Sequence, residues 1–172
     1  GTGKGAAQAS IREEQREALR PGFLALLNQK HLGVRRSIWQ TCRVLGYTSL
    51  PGFEEVFQSS LKLAGDIDAP TETRLSALDM LSLGSFEQAG KALIDRLNGL
   101  EAFPIQARAL EALRGYKEPS VAREIIQRWR EIGPGLRPNA IGLLLGRRAF
   151  HLPLIEAIEI DQLSLGELNL DL

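Results

Sequence analysis

Cysteine, aromatic residues and long apolar runs are all scarce in this chain, and each shortage excludes a class of protein. The 172 residues include a single cysteine, Cys42, so neither an intramolecular disulfide nor a cluster of thiolate metal ligands can form. No run of 18 apolar residues occurs, which excludes a transmembrane helix. Aromatic residues make up 6% of the chain, and alternating runs of Val, Ile and Thr are missing. Since Leu and Ala dominate, the sequence predicts an all-α protein.

Acidic and basic residues balance, because 21 Lys and Arg residues are matched by 21 Asp and Glu residues. A net charge of zero removes the simplest argument for binding DNA or an anionic membrane. The charge is uneven along the chain: residues 149–172 contain five acids and no Lys or Arg, so residues 1–148 carry a net charge of +5. The acidic end is either a contact surface or ordinary solvated surface, and the second interpretation is the simpler one.

The residues from Phe103 to Trp129 form the clearest unit in the sequence. Apolar residues follow helical spacing on both sides of a break at 115–119, which predicts two helices packed as a hairpin. Gly115 suits the end of the first helix, and Pro119 suits the first turn of the second. A hairpin of this size cannot bury its apolar faces alone, so it needs neighbours of the same kind.

The same helical pattern recurs along the chain. A charged helix is predicted at 11–20, ended by Pro21-Gly22, and a more buried one begins at 23–27. Four hairpins follow, with a polar turn inserted at 65–70. Their first helices are predicted at 34–45, 73–81, 105–113 and 136–144, and their second helices at 52–63, 86–97, 121–129 and 152–160.

Three of the first helices share an internal register. Small alanines at matched positions allow adjacent helices to pack closely, and a leucine that follows fills the layer between them. Arg74 and Arg137 occupy one position of this register, and we expect them to reach carbonyls or carboxylates of the adjoining repeat. The matched residues are Ala77-Leu78, Ala109-Leu110 and Ala140-Ile141, followed by Leu81, Leu113 and Leu144.

The pattern Arg-x-x-Ala-Leu-x-x-Leu of residues 74–81 resembles the first helix of a HEAT-type (armadillo-like) repeat. It recurs at 106–113 with Gln106 in place of the arginine. The resemblance covers roughly residues 22–160 and implies a right-handed α–α superhelix, a solenoid of about four to five helical hairpins. We then expect residues 1–9 to be a disordered tail or the remnant of a tag. Residues 10–172 would form a single HEAT-like domain, a fragment of a larger protein.

A narrower resemblance concerns the C-terminal part, residues 136–148 with 153–159 and 163–168 after it. It is similar to the HEAT segment that precedes the c-type haem domain in large exported proteins of Planctomycetes and Verrucomicrobia. In those proteins the repeats connect a propeller-like dehydrogenase-type domain to the cytochrome. The resemblance implies a periplasmic or otherwise exported location, which the residues themselves do not encode. Since the chain contains no Cys-x-x-Cys-His, we expect no haem and no other cofactor here.

The residue pattern predicts neither a catalytic centre nor a metal site. His31 and His151 are 120 positions apart, so neither is expected to bind a metal. Cys42 has apolar neighbours and is expected to be a small core residue, not a nucleophile. The glycine-rich start, residues 1–5, is not preceded by a strand and therefore does not predict a phosphate loop. We predict that the chain is not an enzyme.

A HEAT-like array presents its second helices on a concave face where partners bind. This predicts a protein-interaction or spacer domain that contacts a protein partner or flanking domains of its own chain, and not nucleic acid. The alternative is a domain like a HEAT-type alkylpurine DNA glycosylase, which would use Asp95, Arg128 and Trp129 and would need a positive concave face with an exposed Trp. The candidate contacts are the polar residues Glu54, Glu55, Gln58, Gln88, Lys91, Asp95, Arg123, Gln127 and Arg130.

Apolar positions of the predicted helices define a candidate core. We expect burial of Leu24, Leu27, Trp39, Leu45, Phe57, Leu78, Leu81, Leu93, Leu97, Leu110, Leu113, Ile125, Trp129, Leu144 and Ile155. A last group of leucines is expected to cap the final repeat, or, if free, to mark a seam with a further domain. These leucines are Leu163, Leu165, Leu168 and Leu170.

Overall fold

A computed structural model of the protein describes residues 13–27, 32–45, 52–164 and 166. Within these residues the regular structure is nine α-helices and one 3-10 turn, with a single isolated β-bridge and no strand. The all-α prediction is therefore confirmed. The chain divides into two compact units, one up to Glu55 and one from Val56 onward. The prediction made for residues 1–9 lies outside the described residues.

The first unit contains α1 (Glu13–Leu27) and α2 (Leu32–Val44), which pack against each other. The predicted break at Pro21-Gly22 is wrong, because α1 runs through both residues. The φ angle of proline is compatible with a helix, and its main cost inside one is a lost backbone hydrogen bond. Both residues are exposed, so water can satisfy the carbonyl that proline leaves without a donor.

Trp39 is the centre of the first unit. Its side chain is fully buried, and its ring meets that of Phe53 edge-on, with 5.6 Å between centroids. The Arg35 guanidinium lies 4.9 Å above the Trp39 ring. Of the other predicted core residues, Leu24 and Leu45 are half-buried, and the side chain of Leu27 lies outside the described part.

The second unit contains seven helices whose bounds lie within four residues of the predicted ones. The polar turn predicted at 65–70 is present, and within it the Asp66 carboxylate accepts a hydrogen bond from the Asp68 amide. Pro119 opens its helix as predicted. The helices are α3 (Phe53–Gly65, within this unit from Val56), α4 (Thr71–Leu81), α5 (Phe86–Ile94) with a 3-10 turn (Asp95–Leu97), α6 (Phe103–Leu113), α7 (Pro119–Gln127), α8 (Arg137–Leu145) and α9 (Arg148–Glu159).

The residues that match in register along the sequence are also buried in the structure. The three matched alanines and the three matched leucines have no exposed surface. First helix α4 packs on first helix α6, while second helix α5 packs on α7 and α7 packs on α9. Small residues on these helices allow that close approach. The fully buried residues are Ala77, Ala109 and Ala140, with Leu81, Leu113 and Leu144.

Three residues before each matched alanine lies a polar side chain that donates to a backbone carbonyl. Arg74, Gln106 and Arg137 make these hydrogen bonds at 3.1, 2.6 and 3.1 Å. The prediction is confirmed for Arg74, which reaches α3 of the preceding hairpin, whereas Arg137 and Gln106 reach carbonyls of the loops just before their own helices. The accepting carbonyls belong to Ala64, Glu101 and Ile132, in the same order.

Arg74 also forms a buried ion pair. Its guanidinium bonds both carboxylate oxygens of Glu101, at 2.7 and 2.8 Å, and each side chain is only 8% exposed. Arg96 donates to the same carboxylate at 2.7 Å. Two arginines from different elements therefore converge on one acid, which fixes the loop before α6 against α4 and the 3-10 turn.

The predicted core of the second unit is buried except at Ile155. The side chain of Ile155 is 51% exposed, so this prediction is wrong. α9 turns Phe150, Leu154 and Ala157 inward, and helical geometry directs Ile155 to the opposite side. Of the last group of leucines, Leu163 is buried, whereas Leu165, Leu168 and Leu170 lie outside the described residues.

Candidate interaction surface

Five of the predicted contact residues lie on or directly after two neighbouring second helices. Each helix buries an apolar side, so the polar residues between the apolar ones face outward. Because α5 packs on α7, the two polar rows belong to adjacent helices. The exposed residues are Gln88 and Lys91 on α5, Arg123 and Gln127 on α7, and Arg130 just beyond α7.

Three further predicted contacts lie on α3 and are also exposed. Glu54 and Glu55 belong to the first unit, whereas Gln58 belongs to the second. Glu54 and Glu55 are acids in the first turn of their helix, where they complement its dipole. All three side chains are at the surface, and their contact with a partner stays a prediction.

Asp95, the ninth predicted contact, braces two helices. Its two carboxylate oxygens lie 2.6 Å from Lys91 Nζ and 2.9 Å from a guanidinium nitrogen of Arg128. Arg128 also approaches Glu131 at 3.5 Å. Asp95 thereby links the end of α5 to the residue that ends α7, and it is half-buried. The i,i+3 spacing of Arg128 and Glu131 is visible in the sequence, but no sequence signal indicates the pairing with Asp95.

A groove of about 370 Å³ runs beside the contact between α7 and α9. Its buried floor is apolar and comes from Ile126, Pro153 and Ala157. Arg123 and Glu156 are exposed at its edges and carry opposite charges. The groove is therefore an apolar pocket with one positive and one negative side chain at its edges. Such a pocket suits a side chain of another protein. Its remaining lining residues are Gln127, Ile160 and Gln162.

A second cavity, of about 600 Å³, lies beside the 3-10 turn and the loop that follows it. The loop is held in place, because the Gly99 amide donates to the Glu131 carbonyl at 2.8 Å and the Leu100 amide donates to Asn98 Oδ1 at 2.9 Å. Leu100 at its tip is 100% exposed. The sequence pattern gives no sign of this feature, since a lone leucine after Asn-Gly has no helical periodicity.

The described residues include no group of three or more His, Cys, Asp or Glu side chains placed to hold a metal ion. His151 Nε2 lies 2.8 Å from the Leu145 carbonyl at the end of α8. Burial raises the pKa of the Cys42 thiol, which disfavours the reactive thiolate. His31 lies outside the described residues.

The residues of the alternative glycosylase-like site are not arranged for base binding. Trp129 is 2% exposed, and the Arg137 guanidinium lies 5.6 Å above its ring. Arg128 and Asp95 are paired with each other. A flipped base needs an accessible aromatic face for stacking, and Trp129 does not provide one.

Comparisons with known proteins identify no relative: no family model, curated protein or solved structure matches the chain. The two family resemblances drawn from the repeat pattern thus stay expectations. None of the helices in the described ranges combines the length and the apolar character needed to cross a lipid bilayer.

Proposed function

We propose that this chain is a non-catalytic HEAT-like scaffold whose second-helix surface contacts a protein partner or another domain of its own protein. In this proposal the hairpins of the second unit stack into a right-handed solenoid. Each repeat supplies one layer of the core, and the outward side chains of successive second helices supply the contact surface.

The single observation that carries the proposal is the shared register of packing. Matched alanines and leucines are buried in α4, α6 and α8, and one polar side chain per helix is tied to a carbonyl before or near its start. First helix α4 packs on first helix α6, and second helix α7 packs on second helices α5 and α9. Nearest-neighbour packing of this kind is the defining property of a repeat array.

The composition of the exposed surface favours a protein partner over nucleic acid. Lys91, Arg123 and Arg130 alternate with Glu87, Glu131 and the amides of Gln88 and Gln127. A phosphate backbone would require a more uniform positive field. The burial of Trp129 also counts against the glycosylase alternative.

The narrower resemblance to exported haem proteins gives this proposal a cellular context. There the array would connect two larger domains, and its exposed second helices would contact one of them. A pure spacer is the competing function, since a spacer needs the same packed core but no partner bound to its second-helix surface. The two functions predict different contacts at Gln127: a contact surface brings a partner against this side chain, whereas a spacer does not.

Site-specific photo-crosslinking in cells of the protein's own organism separates the two functions. A photoreactive amino acid replaces Gln127 on α7, and a matched variant carries it at Glu111 on the exposed side of first helix α6. We expect a discrete cross-link from position 127 and none from position 111. Equal or absent cross-linking at both positions would contradict a contact surface and leave the spacer function.

A further inference from the structure

The exposed aliphatic side chains of the second unit are concentrated around its last helix. Leu152 and Ile155 on α9 are 60% and 51% exposed, and Ile160 directly after it is 71% exposed. Leu145 at the end of α8 adds a fourth. Residues 56–164 expose seven large apolar side chains, so more than half of them lie here. Concentration of this kind is typical of a surface that binds something.

Helical geometry makes this an organised face. Leu152, Ile155 and Glu159 are spaced by three and four residues, so they lie on one side of α9. The buried residues Leu154 and Ala157 lie on the side that packs against α7. The outer face is thus not a frayed part of the core but a second, outward apolar stripe.

Acidic side chains border this stripe. Glu156, Glu159 and Asp161 are exposed, and none has an ion-pair partner among the described residues. No Lys or Arg occurs in the sequence after Arg148. Apart from Arg123 at the edge of the groove, the positive charge that complements this face has to come from outside it.

The groove between α7 and α9 adjoins the stripe along Glu156 and Ile160, which belong to both. Its volume of about 370 Å³ is sufficient for a large side chain, and its floor of Ile126 and Ala157 is apolar. A partner can therefore bury one anchoring side chain in the groove and cover the apolar stripe beside it. This is the usual arrangement of an interface with a central anchor.

We propose that the outer face of α9 binds a basic amphipathic helix of a protein partner. The α9 face, as we call it, comprises Leu152, Ile155, Glu156, Glu159 and Ile160 with the adjoining groove. The partner's apolar stripe covers the aliphatic side chains, and its Lys or Arg residues pair with the carboxylates. This inference rests on the proposed function, because it names the chemistry of the partner.

Charge selects this occupant over the others. Residues 165–172 of the chain contain Glu167 and Asp171 and no base, so they would bring like charges to the face. A second copy that docked through its own α9 would present the same acids, and an anionic membrane would be repelled. A basic amphipathic helix satisfies both the apolar stripe and its acidic border.

Designed peptides test the proposal on the full chain by fluorescence anisotropy. The probe is a helical peptide of roughly 18 residues with leucines at i, i+3, i+4 and i+7 spacing and lysines elsewhere. Its control has the same leucines and glutamates in place of the lysines. We expect the lysine peptide to bind about tenfold more tightly or better, with affinity falling as salt is raised. Equal binding of the two peptides would overturn the proposal.

Variants locate the binding on the chain. L152S combined with I155S is expected to weaken the lysine peptide about tenfold, whereas E156Q with E159Q weakens it about threefold. The matched controls are L100S, which removes an exposed leucine elsewhere, and E87Q on α5; neither should change the affinity. All these positions are exposed, so circular dichroism should show an unchanged fold. An equal loss with L100S would overturn the proposal.

Two more measurements address the competing occupants. If deletion of residues 165–172 tightens peptide binding more than tenfold, the chain's own end occupies the face and the proposal falls. A dimer in sedimentation that is lost in I155S would likewise assign the face to a second copy. The proposed function is judged separately: a cross-link from position 127 without peptide binding refutes this inference alone, and the absence of both refutes the two together.

Discussion

The α4–α6 region and the α7–α9 region share one repeat pattern but are held together differently. In the first, Arg74 and Arg96 converge on the buried carboxylate of Glu101. An ion pair between Arg108 on α6 and Asp79 on α4, at 2.7 Å, also joins these two helices. In the second, the buried residues of α7 and α9 are all apolar, and the described residues include no ion pair between those helices.

The difference shows what each region is suited to do. A buried ion network stabilises only one arrangement of its partners, because a displaced charge would be left without compensation in a poorly solvated place. Apolar packing is less directional, and it leaves α9 with a second apolar stripe facing out. We therefore expect the α4–α6 region to be the more rigid of the two and the proposed partner to bind the α7–α9 region.

Removing Glu101 should have the largest effect on this comparison. Glu101→Ala leaves Arg74 and Arg96 without their shared carboxylate, and we expect the free energy of unfolding to fall by about 3–5 kcal/mol in urea denaturation. The matched control is Glu111→Ala on α6, which breaks an exposed pair with Arg114 and should cost less than about 0.5 kcal/mol. Similar losses in both variants would refute a special role for the network.

Two isoleucines on consecutive second helices provide the next test. Ile125 on α7 is fully buried and Ile155 on α9 is half exposed, although both were predicted to be core residues. We expect Ile125→Ala to destabilise the protein by about 2–4 kcal/mol, because it opens a cavity. Ile155→Ala should change the unfolding free energy by less than about 0.5 kcal/mol. A large loss at Ile155 would mean that its outer face is covered in the protein itself.

The smallest effect is expected for an interaction that both regions share, the hydrogen bond from a polar side chain near the start of a first helix to a backbone carbonyl. Gln106 and Arg137 each tie the start of a first helix to a carbonyl a few residues before it. Gln106→Ala and Arg137→Ala should each lower the unfolding free energy by about 1–2 kcal/mol, because each loses a hydrogen bond to a carbonyl and Arg137 also loses its contact with the Trp129 ring. Thermal unfolding of the two variants measures this. Losses that differ by several kcal/mol would show that the register positions are not equivalent in energy.

The sequence could predict which residues of the candidate surface are exposed, because exposure there follows from the apolar pattern within each single helix. Gln88 and Gln127 are exposed because the apolar residues around them occupy the other side of the same helix. Asp95 satisfies the same local pattern, yet it is paired across helices with Arg128. Its partner depends on how α5 and α7 are placed, which no single-helix pattern contains.

The error at Ile155 has the same origin. Its spacing from other apolar residues fits a buried side of α9 as well as it fits an exposed one, since this helix has apolar residues on both sides. The positions of α7 and α8, which both pack against α9, determine which side is covered. The break wrongly predicted at Pro21 differs, because there a helix tolerated a residue that usually ends one.

The amino-acid sequence by itself determined the helical class, the helix bounds to within a few residues and the register of the buried alanines and leucines. These follow from backbone geometry, which repeats every 3.6 residues and acts locally. The tertiary structure alone decided that Arg74 meets Glu101, 27 residues away, and that α9 keeps an apolar face outward. Such outcomes require helices to be oriented against one another, because burial and ion pairing depend on distances between segments that are far apart in the chain.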